Sequence, residues 1–374
     1  MNSLSFEWYA VGVDVSIGGL GVAGATLAYL LASKGFKVRA YDVAKGYHKA
    51  CGDAVTVRPQ TLEIARQTGS IVTAIRRFVI AVNGNVVHDF ELSPPPWIIV
   101  DKARMVSRLR EMASELGAEI IHGSWVRGRE PIWVDARGPY SRSAKNAIFL
   151  YRVYTTSRWS GDTVMLDFNV EERGVYWIFP VDTDGRMVNI GAGFEGVNSA
   201  VEVERRLEKY HKRVVGEPLE TIDRRGALMQ LFNDVTLYKD GSFRVGEAAG
   251  LLLRTGGEGN RPAILSAAAL ARSLSDAGVE DSTRISSLYR RRILGLVDEV
   301  LVSRILLALV RGSSIRVASD LLASLPREFW IRFVRAEVKS HYLARLLISN
   351  YGLGVGVVRA LLSYLSSRGH RLGS

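Results

Sequence analysis

The 374-residue chain is 47% apolar, enough to bury a core of two domains or one elaborated domain and too apolar for disorder over most of its length. Its 49 Lys and Arg against 38 Asp and Glu leave a net charge of +11. That favours an anionic partner, an acidic protein or an anionic membrane surface; nucleic acid is not expected, because no basic run is interleaved with base-stacking aromatics.

A single cysteine, Cys51, excludes an internal disulfide framework, and the six histidines form no ligand pair, so no structural metal is expected. The first ten residues carry Glu7, Trp8 and Tyr9 where a signal peptide has a basic patch and an apolar stretch, and the apolar run 300–310 is broken by Arg304. Such runs fall short of the roughly 20 residues that span a bilayer. A cytoplasmic protein is expected, free or peripheral at a membrane.

Residues 11–17 read as a buried strand, 18–24 as a glycine turn, 25–34 as a helix stopped by Gly35, and 36–42 as a second strand. In that strand Phe36, Val38 and Ala40 alternate with Lys37, Arg39 and Tyr41, giving a βαβ opening. Helical period over 105–116, stopped by Gly117, precedes a strand over Ile132–Asp135. Strand-like runs at 147–154, 163–168, 175–179 and 187–192 predict a separate, mainly antiparallel sheet. A short strand over 243–246, a glycine-rich loop and an alanine-rich helix over 263–274 follow, and from 282 onward the periodicity is helical.

Gly19-Leu20-Gly21-Val22-Ala23-Gly24 is a GxGxxG that follows a strand and opens a helix, with an acid, Asp42, ending the next strand. The first two glycines admit a pyrophosphate to the backbone N–H groups, the third lets helix and strand pack, and the helix N-terminus favours the phosphates. Gly19, Gly21, Ala23 and Gly24 are therefore the expected cofactor contacts of the turn, and Asp42 the acceptor for an adenosine ribose. The motif alone does not separate NAD from FAD.

Further motifs are Asp135-Ala136-Arg137-Gly138-Pro139-Tyr140-Ser141, Val245-Gly246-Glu247-Ala248-Ala249-Gly250 and the glycine loop 256–263. With them stand Asp101-Lys102-Ala103-Arg104-Met105, the loop Ala50-Cys51-Gly52-Asp53-Ala54-Val55, and Tyr176-Trp177-Ile178-Phe179-Pro180 ahead of Asn189-Ile190-Gly191-Ala192-Gly193. Taken together, from about residue 14 to 274, they resemble the geranylgeranyl reductase family, of the digeranylgeranylglycerophospholipid reductase type, within the aromatic-hydroxylase class of FAD-dependent flavoproteins.

The resemblance implies an α/β fold: a Rossmann-type FAD-binding domain with an inserted, mainly antiparallel β substrate domain and a C-terminal helical region. FAD-binding parts are expected over 11–80, 101–143 and 241–281, substrate-domain parts over 81–100 and 144–240, and helices over 282–374. It adds Cys51, Gly52, Ala54, Lys102, Val126, Asp135, Glu247, Gly259 and Asn260 to the FAD contacts. Glu247 stands where the family has an Asp on the ribityl chain, and Lys102 where it has an Arg, unless Arg104 takes that part in a register shifted by two. Cys51 is the implied catalytic residue, as a channel gate or proton donor, and Tyr176, Trp177 and Phe179 line the implied lipid cavity.

The implied reaction saturates isoprenoid double bonds by hydride from reduced FAD. Its partners are an isoprenoid lipid, an external electron donor (ferredoxin or a nicotinamide nucleotide) and an anionic membrane surface. Two other readings share the motifs: an FAD-dependent monooxygenase of the aromatic-hydroxylase type, and a non-catalytic FAD-binding electron-transfer or lipid-binding protein.

Overall fold

The computed structural model describes residues 12–349 except 48, 125–130, 145 and 198. The wholly buried strand Val15–Gly18 lies inside a six-stranded sheet. Its order is Tyr238–Lys239, Ser242–Arg244, Ile132–Asp135, Val15–Gly18, Val38–Asp42 and Glu119–His122. Every pair is parallel except the terminal hairpin Tyr238–Lys239 with Ser242–Arg244. The chain runs outward from Val15–Gly18 on one side and then returns to build the other, so the order reverses between Val15–Gly18 and Ile132–Asp135. In a sheet of this kind the crevice beyond the carboxyl ends at the reversal receives the ligand. The glycine turn sits there.

Helix Val22–Ala32 packs on both Lys102–Glu115 and Asn260–Ala277. Small residues permit this approach: Ala23, Gly24, Ala25 and Ala28 are buried on the first helix, and Ala263, Ala267 and Ala271 on the third.

The second sheet has seven strands, in the order Asp223–Gln230, Ala147–Thr156, Met187–Glu195, Gly174–Pro180, Thr163–Asn169, Arg77–Val82 and Asn85–Glu91. All its pairs are antiparallel except Thr163–Asn169 with Arg77–Val82. The chain therefore enters this sheet at Arg77, a few residues before the boundary expected at 81. A small sheet of Ala54–Thr56, Trp97–Val100 and Ile71–Ile75 joins the two.

Side-chain alternation gives the large sheet two apolar faces. Helix Ala200–Val214 covers one through Val203, Leu207 and Tyr210. On the other, Phe78, Phe168, Trp177 and Phe179 meet Val302, Phe329, Trp330 and Val334 from the C-terminal helices. Those helices thus close the compartment that holds Trp177 and Phe179. Among the described residues no helix is long and apolar enough to cross a membrane, and no group of His, Cys, Asp and Glu could hold a metal ion.

Candidate functional site

Gly19 takes φ +96°, the left-handed region that glycine enters without penalty. A Cβ there would lie 2.6 Å from the Ala136 carbonyl oxygen, and one on Gly24 would lie 1.8 Å from that of Gly19, so neither position accepts a side chain. Gly21 differs: a Cβ on it would meet only Tyr47 Cε2, at 4.0 Å, so the turn opens at this point. The helix begins here, and its free N–H groups and dipole could receive a phosphate. Ala23 faces Gly246, 3.0 Å from a Cβ placed there, which brings the turn against the segment that carries Glu247.

Asp42 already holds the turn. One carboxylate oxygen accepts from the Leu20 N–H (2.6 Å) and the other from that of Ala44 (2.9 Å). Arg110 reaches the same carboxylate (3.3 Å) and donates to the carbonyl oxygens of Leu20 (2.7 Å) and Lys45 (2.7 Å). Burial lowers the pKa of this guanidinium, with Asp42 opposing. A carboxylate offers about four acceptor positions, so Asp42 keeps capacity for a ribose hydroxyl. The sequence reading missed Arg110. Its signal was helical phase: with Lys102, Met105, Val106, Leu109 and Ala113 it forms the buried stripe of Lys102–Glu115.

The Cys51 loop rests between the two sheets. Cys51 Sγ accepts from the Asp53 N–H (3.4 Å) and the Asn260 amide (3.6 Å), and Asn260 also donates to the Ala54 carbonyl (3.0 Å). On the other side Asn189 donates to the Cys51 carbonyl (2.7 Å) while accepting from the Trp177 indole (2.9 Å). A Cβ on Gly52 would lie 2.4 Å from the Phe179 ring, so glycine lets the loop lie directly on that aromatic wall. Asp53 takes φ +60°, and its carboxylate is held by Lys102 (3.2 Å) and the Tyr154 hydroxyl (2.9 Å).

Lys102 is 4% exposed. Burial works against its charge, but Cys51, Tyr47 and Asp53 outweigh it and raise the ammonium pKa well above the ordinary lysine range. Its Nζ also lies 5.1 Å from the Tyr47 ring centroid. Burial, then Asp53, push the Tyr154 phenol far above its usual range, so it stays a donor. Arg104, the alternative bearer of this contact, is exposed beside Gly69. Lys102 is therefore the residue of that segment which faces the site.

Trp177 and Phe179 stand against the loop, but Tyr176 does not join them. Successive residues of Gly174–Pro180 point to opposite faces, and Tyr176 stacks on Tyr210 at 4.1 Å and donates to Glu172 (2.8 Å) under helix Ala200–Val214. This corrects its expected place in the cavity.

Glu247 lies in the short turn Gly246–Ala249, its carboxylate accepting from Lys49 (2.5 Å) and the Gln230 N–H (3.0 Å). Gly259 precedes helix Asn260–Ala277, whose first residue reaches Cys51. Asn189, which opens the motif 189–193, completes the cluster with Tyr47, Lys49 and Tyr154; these last three were not singled out from the sequence, since their partners lie far along the chain.

Asp135 is in register with Gly18, but its carboxylate is taken by Arg137 (2.8 Å) and Ser141 (2.6 Å). Burial works against its charge, yet these donors hold its pKa below the usual range. It lines a cavity of about 240 Å³ with Trp133, Lys239 and Arg244 that shares no residue with the Cys51 cluster. Val126 lies outside the described residues.

No protein-family model and no curated protein matches the chain. Solved structures do. A geranylgeranyl bacteriochlorophyll reductase-like protein of Thermoplasma acidophilum superposes with a TM-score of 0.70 at 14% identity, over 90% of this chain and 98% of that one. PqsL of Pseudomonas aeruginosa, a probable FAD-dependent monooxygenase, gives 0.60 at 16% identity, over 83% of this chain and 98% of that one. CtdE, solved in complex with FAD and a substrate, gives 0.62 at 16% identity, over 90% and 100%. The likeness extends over nearly the whole length of each protein and shows that the chain has their fold.

Proposed function

We propose that the chain is an FAD-dependent reductase that saturates isoprenoid double bonds of archaeal-type membrane-lipid precursors. The observation that carries this reading is the seat of the Cys51 loop. One side of it is tied to Asn260 and Lys102 beside the glycine turn, and the other lies on Phe179 in an apolar compartment.

The residues fit FAD. The open backbone at Gly21 and the helix start suit its pyrophosphate, Asp42 its adenosine ribose, Glu247 its ribityl chain, and the start of Asn260–Ala277 the negative charge of its reduced form. When bound and reduced, FAD supplies a hydride.

An isolated alkene is a poor hydride acceptor, so the chain must exclude water and place a proton. Trp177 and Phe179 with the C-terminal helices supply the dry wall. Cys51 Sγ is the candidate proton-bearing atom, oriented by the Asn260 amide, with the Lys102 ammonium beside it. Tyr154 and Lys102 fix Asp53 and hence the loop. On this reading the partners are an isoprenoid lipid, an external electron donor (ferredoxin or a nicotinamide nucleotide) and an anionic membrane surface. Exposed Leu294, Leu301 and Ile305 on one helix support the last.

The likeness to PqsL favours a second reading, an FAD-dependent monooxygenase. The deciding experiment reduces the FAD-loaded protein without oxygen and offers a geranylgeranyl lipid. Reoxidation with loss of double bonds by mass spectrometry supports the reductase. An intact lipid, together with a hydroperoxyflavin spectrum on adding oxygen, establishes the monooxygenase instead.

A further inference from the structure

A second group of charged side chains stands at the far end of the face that carries Trp177. Three guanidinium groups gather on the segment Phe232-Asn233-Asp234. Arg142 pairs with the Asp234 carboxylate (2.7 Å), Arg254 donates to the Phe232 carbonyl, and Arg304 donates to the carbonyls of Asn233 (3.2 Å), Asp234 (3.1 Å) and Gly250 (2.9 Å). A fourth, Arg311, pairs with Glu195 (2.9 Å). Four cations thus meet two carboxylates, and among the described residues Arg254 and Arg304 have hydrogen bonds only to neutral oxygens. Arg304 Nε is buried with no partner. Burial and then the like charges of Arg304 and Arg311 push the Arg254 guanidinium down to about 10. Cations that outnumber the carboxylates among them are the condition that a bound anion relieves.

The sheet register connects this cluster to the Cys51 loop. Glu195, Ile148 and Met229 are neighbours across three strands, and Met229 packs on Leu252, two residues before Arg254. Along Met187–Glu195, residues 195, 193, 191 and 189 share one face, and 191 and 189 pair with Trp177 and Phe179. Six residues of strand, at about 3.3 Å each, set Glu195 roughly 20 Å from Asn189, which binds the Cys51 carbonyl. Leu150 and Val175 line this face between the two ends.

The geometry points to an anion subsite, formed by Arg254, Arg304 and Arg311, that takes the phosphate or diphosphate head of an elongated apolar substrate whose chain reaches the Cys51 loop. The tail half of this inference rests on the isoprenoid reading above; the anion half does not.

The test uses FAD-loaded, full-length protein and titration calorimetry with three probes: inorganic pyrophosphate, geranylgeranyl diphosphate and geranylgeraniol. Wild type is expected to bind geranylgeranyl diphosphate at least about tenfold more tightly than geranylgeraniol, the margin of a charge-assisted hydrogen bond. Arg254→Gln should lose that margin and leave the alcohol unaffected, and Arg311→Gln carries the same test should the first variant not fold. Unchanged diphosphate affinity in folded variants overturns the subsite even where geranylgeraniol binds, which leaves the reductase reading intact. Pyrophosphate binding that weakens in the variants while neither prenyl probe binds sustains the subsite and removes the isoprenoid reading.

Discussion

Asn260 Nδ2 lies 3.6 Å from the Cys51 sulfur and 3.0 Å from the Ala54 carbonyl oxygen, so one amide group ties the start of a helix to both sides of the Cys51 loop. Asn260→Ala is expected to cost about 1–2 kcal/mol, lowering the thermal midpoint by a few degrees. Its isoprenoid turnover should fall with that of Cys51→Ala, while flavin stoichiometry stays near wild type in the latter. Full turnover in Cys51→Ala removes the sulfur from the mechanism.

Gly21 and Gly24 should separate nucleotide binding from folding. Gly21→Ala adds a methyl group to open space near Tyr47, so the protein should fold normally and lose flavin affinity. Gly24→Ala drives a methyl group into the Gly19 carbonyl and should compromise folding itself. Flavin absorbance per chain and thermal unfolding of both variants check this, and equal unfolding midpoints would contradict the packing argument.

Lys102 predicts an alkaline limb. Its pKa is raised in the folded chain, so its contribution to stability is complete below the ordinary lysine value of ~10.4 and is lost as pH rises through the higher folded value. Lys102→Met strands the buried Asp53 carboxylate and should cost about 3–5 kcal/mol at neutral pH. The difference from wild type should shrink above ~10.4. Urea midpoints across the alkaline range measure it, and a constant difference refutes the assignment.

Arg261 is 2% exposed and pairs with Glu258 (2.9 Å) and Glu299 (2.7 Å); Glu258 in turn accepts from Thr56 (2.8 Å). Burial raises the Glu299 pKa, with Arg261 opposing. Arg261→Met leaves both carboxylates without their cation and should destabilise by about 3–5 kcal/mol. A urea midpoint within error of wild type would show that the triad contributes nothing.

The glycine turn, Asp42 and Asn260 were legible because each pairs a short motif with a local reason: a turn between strand and helix at 18–24, a strand end at Asp42, a helix start at Asn260; the Cys51 loop was reached through the family resemblance alone. Arg110 and Lys49 were not, since their partners Leu20 and Glu247 are distant in the chain and residue type alone does not reveal them. Tyr176 was misplaced because the family resemblance assigned the motif 176–180 to the cavity as a whole, although strand period already assigns it away from Trp177. The choice between Lys102 and Arg104 was open from motif alone, but helical phase with Met105 and Leu109 selects Lys102. The C-terminal helices carried no motif, and only the folded chain reveals that they wall the compartment.

The strand Gly174–Pro180 serves different neighbours on its two sides: Trp177 and Phe179 meet the Cys51 loop and C-terminal helices, while Tyr176 stacks on Tyr210. On the proposed reading, changes at 177 or 179 reshape what the compartment accepts while leaving the opposite face of the strand, where Tyr176 meets Tyr210, in place. On that reading, the wall of the substrate compartment and the seat of helix Ala200–Val214 are carried by alternate letters of the same short segment, so a library confined to the odd positions would leave the Tyr176–Tyr210 stack as it is.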